Sequence, residues 1–315
     1  MGRQTATLFL WGDFLDTLYQ SPSQKALRKK FRGHQRLICK TKPIYPLGVE
    51  REYQRITDAY MRILSQTLKE NIPAIKEAAK REKLANQRTD DMNDLMAIVQ
   101  QAFMKMNADV EKRVEAFGLR QKIGLMANMT RKLSVKEWKK AVKSTLGIDL
   151  LDDYYLGEFY RSAMEQWVDK NVSLISTIPK DTLRKMKDLV QGGYTSGKTT
   201  TFIIKQIQRE YSIEKRHARL IARDQIAKLN GDMGKQQQED AGVDEYIWST
   251  SGDSRVRERH KDLNRKRFRW NDPPVVDLKT GRRCHPGEDY ECRCVALPVF
   301  NIESIKLPWY EEGGG

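Results

Sequence analysis

Residues Met92 to Phe117 read MNDLMAIVQQAFMKMNADVEKRVEAF. Within them Met92, Leu95, Met96, Val99, Phe103, Met106, Val110, Val114 and Phe117 recur at three- and four-residue spacing. That spacing puts these nine side chains on one face of a helix, because a helix returns to the same face after 3.6 residues. The stripe lasts about seven turns. Just upstream, Tyr53, Ile56, Tyr60, Ile63, Leu64 and Leu68 draw a second stripe of the same kind. Two long amphipathic helices in succession predict an extended helical hairpin or stalk. Their methionines fill core gaps, since an unbranched thioether adapts to irregular spaces.

Helical patterning continues outward from this pair. Gly118 marks a stop. Ser134-Val135-Lys136-Glu137 has the Ser-x-x-Glu spacing of a capping box and predicts a helix start, with Trp138 and Val142 on its apolar side. Tyr155, Phe159, Ala163 and Trp167 lie four apart after Asp152. Pro179 suits the first turn of a helix bearing Leu183, Met186 and Val190, which ends at Gly192-Gly193. Two more helices are expected over Thr199 to Tyr211 and Ser212 to Leu229.

The character of the chain changes near Gly242. Tyr246 to Thr250 alternates bulky and smaller side chains and predicts a strand. Cys294 to Phe300 predicts another, after a stretch rich in Pro, Gly, Arg and Asp. The fold class expected is mainly α with a small C-terminal α+β domain. The expected segments are a basic arm over 1–48, a helical region with the hairpin over 49–170, a compact module over 171–300 and a tail over 301–315, with Gly313 to Gly315 disordered.

Lys and Arg total 57 against 42 Asp and Glu, a formal charge of +15, which suits a polyanionic partner such as nucleic acid. Ser21 to Gly48 holds no acid and eight cations, Lys25, Arg28, Lys29, Lys30, Arg32, Arg36, Lys40 and Lys42. It reads either as an arm lying along phosphate or as a solvated linker. Arg265-Lys266-Arg267-Phe268-Arg269-Trp270 interleaves cations with rings. Such a run can meet phosphates and stack on bases, or its cationic stems can cover Phe268 and Trp270. Thr7 to Tyr19 is interrupted by Asp13 and Asp16 and falls short of the roughly 20 apolar residues that span a bilayer. Met1 to Tyr19 also lacks the order of a signal peptide. Four cysteines in 315 residues make no disulfide scaffold and point to a reducing cytoplasm.

Gly192 to Thr199 satisfies the Gly-x-x-x-x-Gly-Lys-Thr pattern of a phosphate-binding loop. A working loop of that kind needs a buried strand before it. Asp181 to Gln191 has helical spacing and carries Lys185, Lys187 and Asp188, so a helix–turn–helix is expected instead.

His260, Cys284, His285, Cys292 and Cys294 offer enough soft ligands for tetrahedral zinc. The expected set is His260, His285, Cys292 and Cys294, with Cys284 as a substitute. The alternative has His260 bonded to backbone or to Asp253, with the thiols buried as small hydrophobes. Asp253, Arg257 and His260 have spacing that fits one helical face, where a structural ion pair is the commoner outcome. No nucleophile with an open site is recognisable, and no catalytic residue is assigned.

Ala222-Arg223-Asp224-Gln225, Asn230, Gly242, Tyr246, Trp248, Asp253, Arg257, His260, His285-Pro286-Gly287 and Cys292-Arg293-Cys294 form an ordered series. Over roughly Asn171 to Val299 it resembles the Mu F-like minor head (head morphogenesis) family of tailed phages. Leu174-Ile175, Ile178-Pro179, Gly193 and Gly197 fit the same resemblance upstream. Cys284 and the basic arm lie outside the series. Structural roles are carried over to Asn230, Trp248, Asp253, Arg257, His260, Pro286 and Arg293.

The resemblance implies a non-enzymatic virion protein inside the capsid near the portal vertex, in the host cytoplasm during assembly. Its implied partners are portal protein, major capsid or scaffold protein and packaged double-stranded DNA, with no membrane at rest and a role in assembly or DNA ejection. DNA contacts are expected at Arg28, Lys29, Lys30, Arg32, Arg265, Lys266, Arg267 and Arg269. The rival readings are a P-loop nucleotide hydrolase working through Lys198, a metal-dependent nuclease using His260, or a free DNA-binding protein.

Overall fold

The computed structural model describes residues 23–85, 89–150 and 157–307. Thr7 to Tyr19, Tyr155 and Gly313 to Gly315 lie outside the described residues. The elements are α1 (Ser23–Lys30), β1 (Arg36–Ile38), α2 (Leu47–Ala85), α3 (Thr89–Ala116), α4 (Leu119–Leu146), α5 (Glu158–Ser176), α6 (Ile178–Thr195), α7 (Thr200–Asp240), β2 (Glu245–Ser249), α8 (Glu258–Leu263), β3 (Arg267–Arg269) and β4 (Val295–Asn301). The chain is mainly helical with a small antiparallel sheet, the class expected. No helix among the described residues is long and apolar enough to cross a membrane.

The chain forms two compact units, each discontinuous in sequence. This partition differs from the four successive segments expected, because long helices contribute residues to both. The helical unit comprises Leu47–Asn128 and Met164–Gln225. In it the α2–α3 hairpin buries Met61, Leu64 and Leu68 against Val99, Phe103, Met106 and Val110, and α6 adds Leu183, Met186 and Val190. The two apolar stripes thus meet in one core. A small polar cluster is sealed beside it: Asn171 is fully buried, accepts from the Tyr53 hydroxyl at 3.0 Å and lies 3.4 Å from the Gln225 amide oxygen.

Two predicted helix starts are corrected. Ser134 lies inside α4, and its hydroxyl donates to Gln237 at 3.2 Å rather than capping a helix. Glu137, its expected capping partner, instead accepts the Ile44 backbone N–H at 3.0 Å. Likewise Ser212 lies inside the continuous α7, because its hydroxyl donates to the Gln208 carbonyl one turn back at 2.9 Å. α7 therefore replaces the two helices expected.

The sheet unit comprises Met1–Pro46, Met129–Ala163 and Ile226–Gly315. Its strand order is β1-β4-β2-β3, all neighbours antiparallel. β2 and β4 are the two strands expected. β1 and β3 were not foreseen, and β1 corrects the loose basic arm: Leu37 pairs with Phe300 and Ile38 with Val299. The arm is tied further by Lys30, which donates to the Leu146 carbonyl at 2.9 Å, and by an Arg28–Glu303 ion pair at 2.6 Å. Trp138 of α4 packs on Phe300 with ring centroids 5.9 Å apart.

α7 stops at Gly242, whose φ of +68° only glycine adopts without strain. About three turns earlier the helix meets the His285-Pro286-Gly287 loop backbone to backbone. A Cβ added at Gly231 would sit 3.0 Å from the Pro286 carbonyl oxygen and 3.3 Å from Gly287 Cα. Both neighbours are main chain, so neither can swing aside. Gly231→Ala is expected to destabilise the protein by about 1–3 kcal/mol through this overpacking. A chemical denaturation curve matching that of the unsubstituted protein would contradict the contact.

Candidate functional site

Asp289 is the centre of the C-terminal loops. It was absent from the expected site, yet its carboxylate is only 1% exposed. His260 Nε2 lies 3.0 Å from Oδ2, and Arg257 donates to the same oxygen at 3.0 Å. Arg282 and the Tyr290 backbone N–H reach Oδ1, the latter at 2.8 Å. Burial opposes ionisation of Asp289, but these donors outweigh it and hold the carboxyl well below the usual carboxylate range. A buried carboxylate is tolerable only with such pairing.

His260 and Arg257 arrive together because α8 begins at Glu258, with Arg257 in extended conformation directly before it. Asp253 does not share that helix, which corrects the single face expected for Asp253, Arg257 and His260. Asp253 instead accepts from Arg293 at 3.4 Å, beside the start of β4. Arg257 also donates to the Tyr290 carbonyl at 2.7 Å. Asp253, Arg257 and His260 were thus legible, but Asp289 and the pairing were not.

The other edge of the His260 ring faces two sulfurs. Nδ1 lies 3.6 Å from Cys292 Sγ and 3.7 Å from Cys294 Sγ. Burial alone would lower the His260 pKa, but hydrogen bonds with Asp289 and Cys292 push it up to about 9. A hydrogen bond from Cys294 pulls the Cys292 thiol down against its burial, with His260 assisting. Giving that bond, together with burial, pushes Cys294 up. The Trp248 indole N–H finds no oxygen or nitrogen acceptor among the described residues, and its polar interaction is with the Cys294 sulfur. Trp248 also stands edge-on to His260, with centroids 5.2 Å apart.

Of the expected metal set, His260, Cys292 and Cys294 come together, their ligand atoms all within 4.8 Å of one another. His285 does not join them. Its Nδ1 is 2.8 Å from the Tyr246 hydroxyl, and its ring packs on Trp270 at 4.8 Å. Cys284 packs against the same apolar cluster without entering the trio. Tyr246, Trp248, Leu263, Trp270 and Val276 form the rest of that cluster.

Cys292, His260 and Asp289 also have the chemical types of a nucleophile, its base and an orienting acid. They lack access. The three are 3%, 2% and 1% exposed. The neighbouring cleft, which Asn230, Gly231, Pro286 and Cys294 help to line, is about 40 Å³. That volume admits a few waters and no substrate.

Residues 184–297 match the family model described as phage Mu protein F like protein. This stretch of the chain is similar to the Mu F-like family. A protein of Haemophilus influenzae, itself uncharacterized, is 29% identical over 217 residues, covering 69% of this chain and 47% of that relative. The chain therefore spans about half the length of that relative. No solved structure matches the chain. The Mu F-like stretch runs from α6 into β4, and it contains Asp289 and every partner just described.

The phosphate-loop pattern inside the Mu F-like stretch is a helical hairpin turn. Gly192 and Gly193 are still in α6, and no strand precedes them. Gly193 faces the Ile203 side chain of α7 closely, which explains the glycine by packing. Lys198 lies over the Phe202 ring, 5.8 Å from its centroid.

The basic stretches are largely paired or packed. Arg36, Arg267 and Arg269 all converge on Glu245, whose side chain is 6% exposed. Trp270 is buried against Tyr246, centroids 4.4 Å apart, so it presents no face to a base. Phe268 packs on Tyr246 with centroids 6.0 Å apart, and the cation over the Trp270 ring is Lys235 of α7, 5.9 Å from its centroid.

Replacing Asp289 by Ala would leave His260, Arg257 and Arg282 without their common acceptor. A loss of about 3–5 kcal/mol is expected, as for removal of one partner from a buried pair. Arg257→Ala, whose side chain is 46% exposed, should cost under about 1 kcal/mol. Denaturant melts of both variants check the ordering; equal, small losses would refute the central role of Asp289.

Proposed function

We propose that this protein is a structural head protein of a tailed phage, acting in head morphogenesis by binding and geometry rather than by catalysis. One observation carries the reading: the residues that mark the Mu F-like stretch are engaged with one another. Trp248 covers His260, Arg257 and His260 hold Asp289, Arg293 holds Asp253, and Pro286 lies against Gly231. Such a network builds a rigid module. It leaves no reacting group facing solvent.

The two enzymatic rivals each lack a requirement. A P-loop hydrolase needs a strand feeding the glycine turn, and here α6 feeds it. A metal-dependent nuclease needs a ligand position open to phosphate, and His260, Cys292 and Cys294 are all at most 4% exposed. Similarity to the Mu F-like family over residues 184–297 supports association with the phage head.

The finer reading is ours as well: a place inside the capsid near the portal vertex, with portal protein and packaged DNA as neighbours. A formal charge of +15 supports proximity to DNA. Among the described residues Lys29, Arg32, Arg265 and Lys266 have no carboxylate partner in an ion pair, and Arg32, Arg265 and Lys266 are exposed. These four, rather than the paired Arg28, Arg267 and Arg269, are the cations placed to meet phosphate. Contact of that kind is independent of base sequence.

Proheads assembled with and without portal protein provide the test. Quantitative mass spectrometry is expected to find this chain in portal-containing proheads at low copy number and to miss it in portal-less ones. Absence from both would overturn the proposal, and equal amounts in both would overturn the portal assignment.

A further inference from the structure

We propose that His260, Cys292 and Cys294 bind a structural zinc ion, with Asp289 orienting the histidine from outside the coordination shell. The distances fit a metal site. Zinc holds sulfur at about 2.3 Å and imidazole nitrogen at about 2.0–2.1 Å, so tetrahedral angles set a sulfur and a nitrogen about 3.6 Å apart. The two Nδ1–Sγ separations are 3.6 and 3.7 Å. Both nitrogen–sulfur separations are therefore those of ligands that share one tetrahedral zinc.

The surroundings match that use. A zinc-bound imidazole commonly gives its other N–H to a carboxylate, which fixes the tautomer and the ring plane. His260 has that arrangement: Nε2 meets Asp289 at 3.0 Å while Nδ1 faces the sulfurs. Asp289 is itself fixed by Arg257, Arg282 and the Tyr290 N–H. The trio supplies three of the four positions that tetrahedral zinc fills. This set is narrower than the one the sequence suggested, since His285 is turned to Tyr246.

The local fold also has a use for a clip. From Gly252 to Cys294 the regular structure is one short helix, α8, and one three-residue strand, β3. Leu263, Trp270 and Val276 are its main apolar contributions to the core. A metal that joins α8 to the start of β4 would offset the entropy of ordering so much irregular chain.

The test uses the full chain, expressed without added metal and purified under reductant with no chelator. Elemental analysis is expected to show one zinc per chain that survives dialysis. Cys292→Ser and Cys294→Ser should each lose it, while Cys39→Ser, a buried thiol outside the trio, should keep it. Asp289→Asn should weaken retention against a competing chelator by about 10–100-fold. Because the serine variants can fail to fold, cobalt(II) is added to the metal-stripped wild-type protein in parallel. An intense near-ultraviolet thiolate-to-cobalt band is expected. A reduced wild-type protein that melts cooperatively, holds no zinc after zinc is supplied, and gives no such band with cobalt would overturn the site.

Discussion

A carboxylate sealed from water, with two arginines and a histidine around it, is the constraint on which the C-terminal half depends. Asp289 cannot be buried alone, because desolvating a lone charge costs several kcal/mol. Its partners come from three separate places in the chain: Arg257 and His260 at α8, Arg282 from the middle loop, and the Tyr290 backbone from its own turn. Satisfying one side chain therefore closes two segments of chain at once, one from α8 and one from Arg282. The Cys292–Cys294 corner is held to the same point through the opposite edge of His260. What looks in sequence like a loose stretch of Pro, Gly and Arg is a clamped structure.

This explains why the landmarks of the Mu F-like stretch are chemically suggestive without forming an accessible reaction centre. Acid, imidazole and thiol are in contact, as in a nucleophilic enzyme, yet each is buried. Charge and reactivity have been turned inward, where they determine shape. Cations follow the same rule on the sheet, where Arg36 of β1 and Arg267 and Arg269 of β3 pair with the buried Glu245 of β2. Net charge read from composition therefore overstates how many cations remain for an outside partner.

Much of this was legible from the residues, and what was missed has common causes. The α2–α3 hairpin was plain because apolar residues at helical spacing report burial directly. β2 was plain from the alternation of Tyr246 to Thr250, and β4 was expected as a short strand after the Pro- and Gly-rich stretch. β1 was hidden because Arg36-Leu37-Ile38 is short and sits among cations; only pairing with Phe300 and Val299 makes it a strand. The false starts at Ser134 and Ser212 arose because a serine that bonds sideways or one turn back has the same letters as a cap. Asp289 was overlooked because partners 7 to 32 residues away leave no local period. The ligand types were readable, but nothing in the spacing showed that His285 turns to Tyr246 while His260 turns to the thiols.

If Asp289 and its partners unite these loops, residues between Gly252 and Cys294 should behave as part of the sheet despite their scarce regular structure. Native-state hydrogen exchange measured residue by residue tests this directly. The account predicts that the Cys292 amide, which donates to the Asp289 carbonyl, and the Val276 amide, which donates to Arg282, exchange in the same cooperative opening as Trp248 of β2. Free exchange at Cys292 and Val276, with Trp248 still strongly protected, would contradict it.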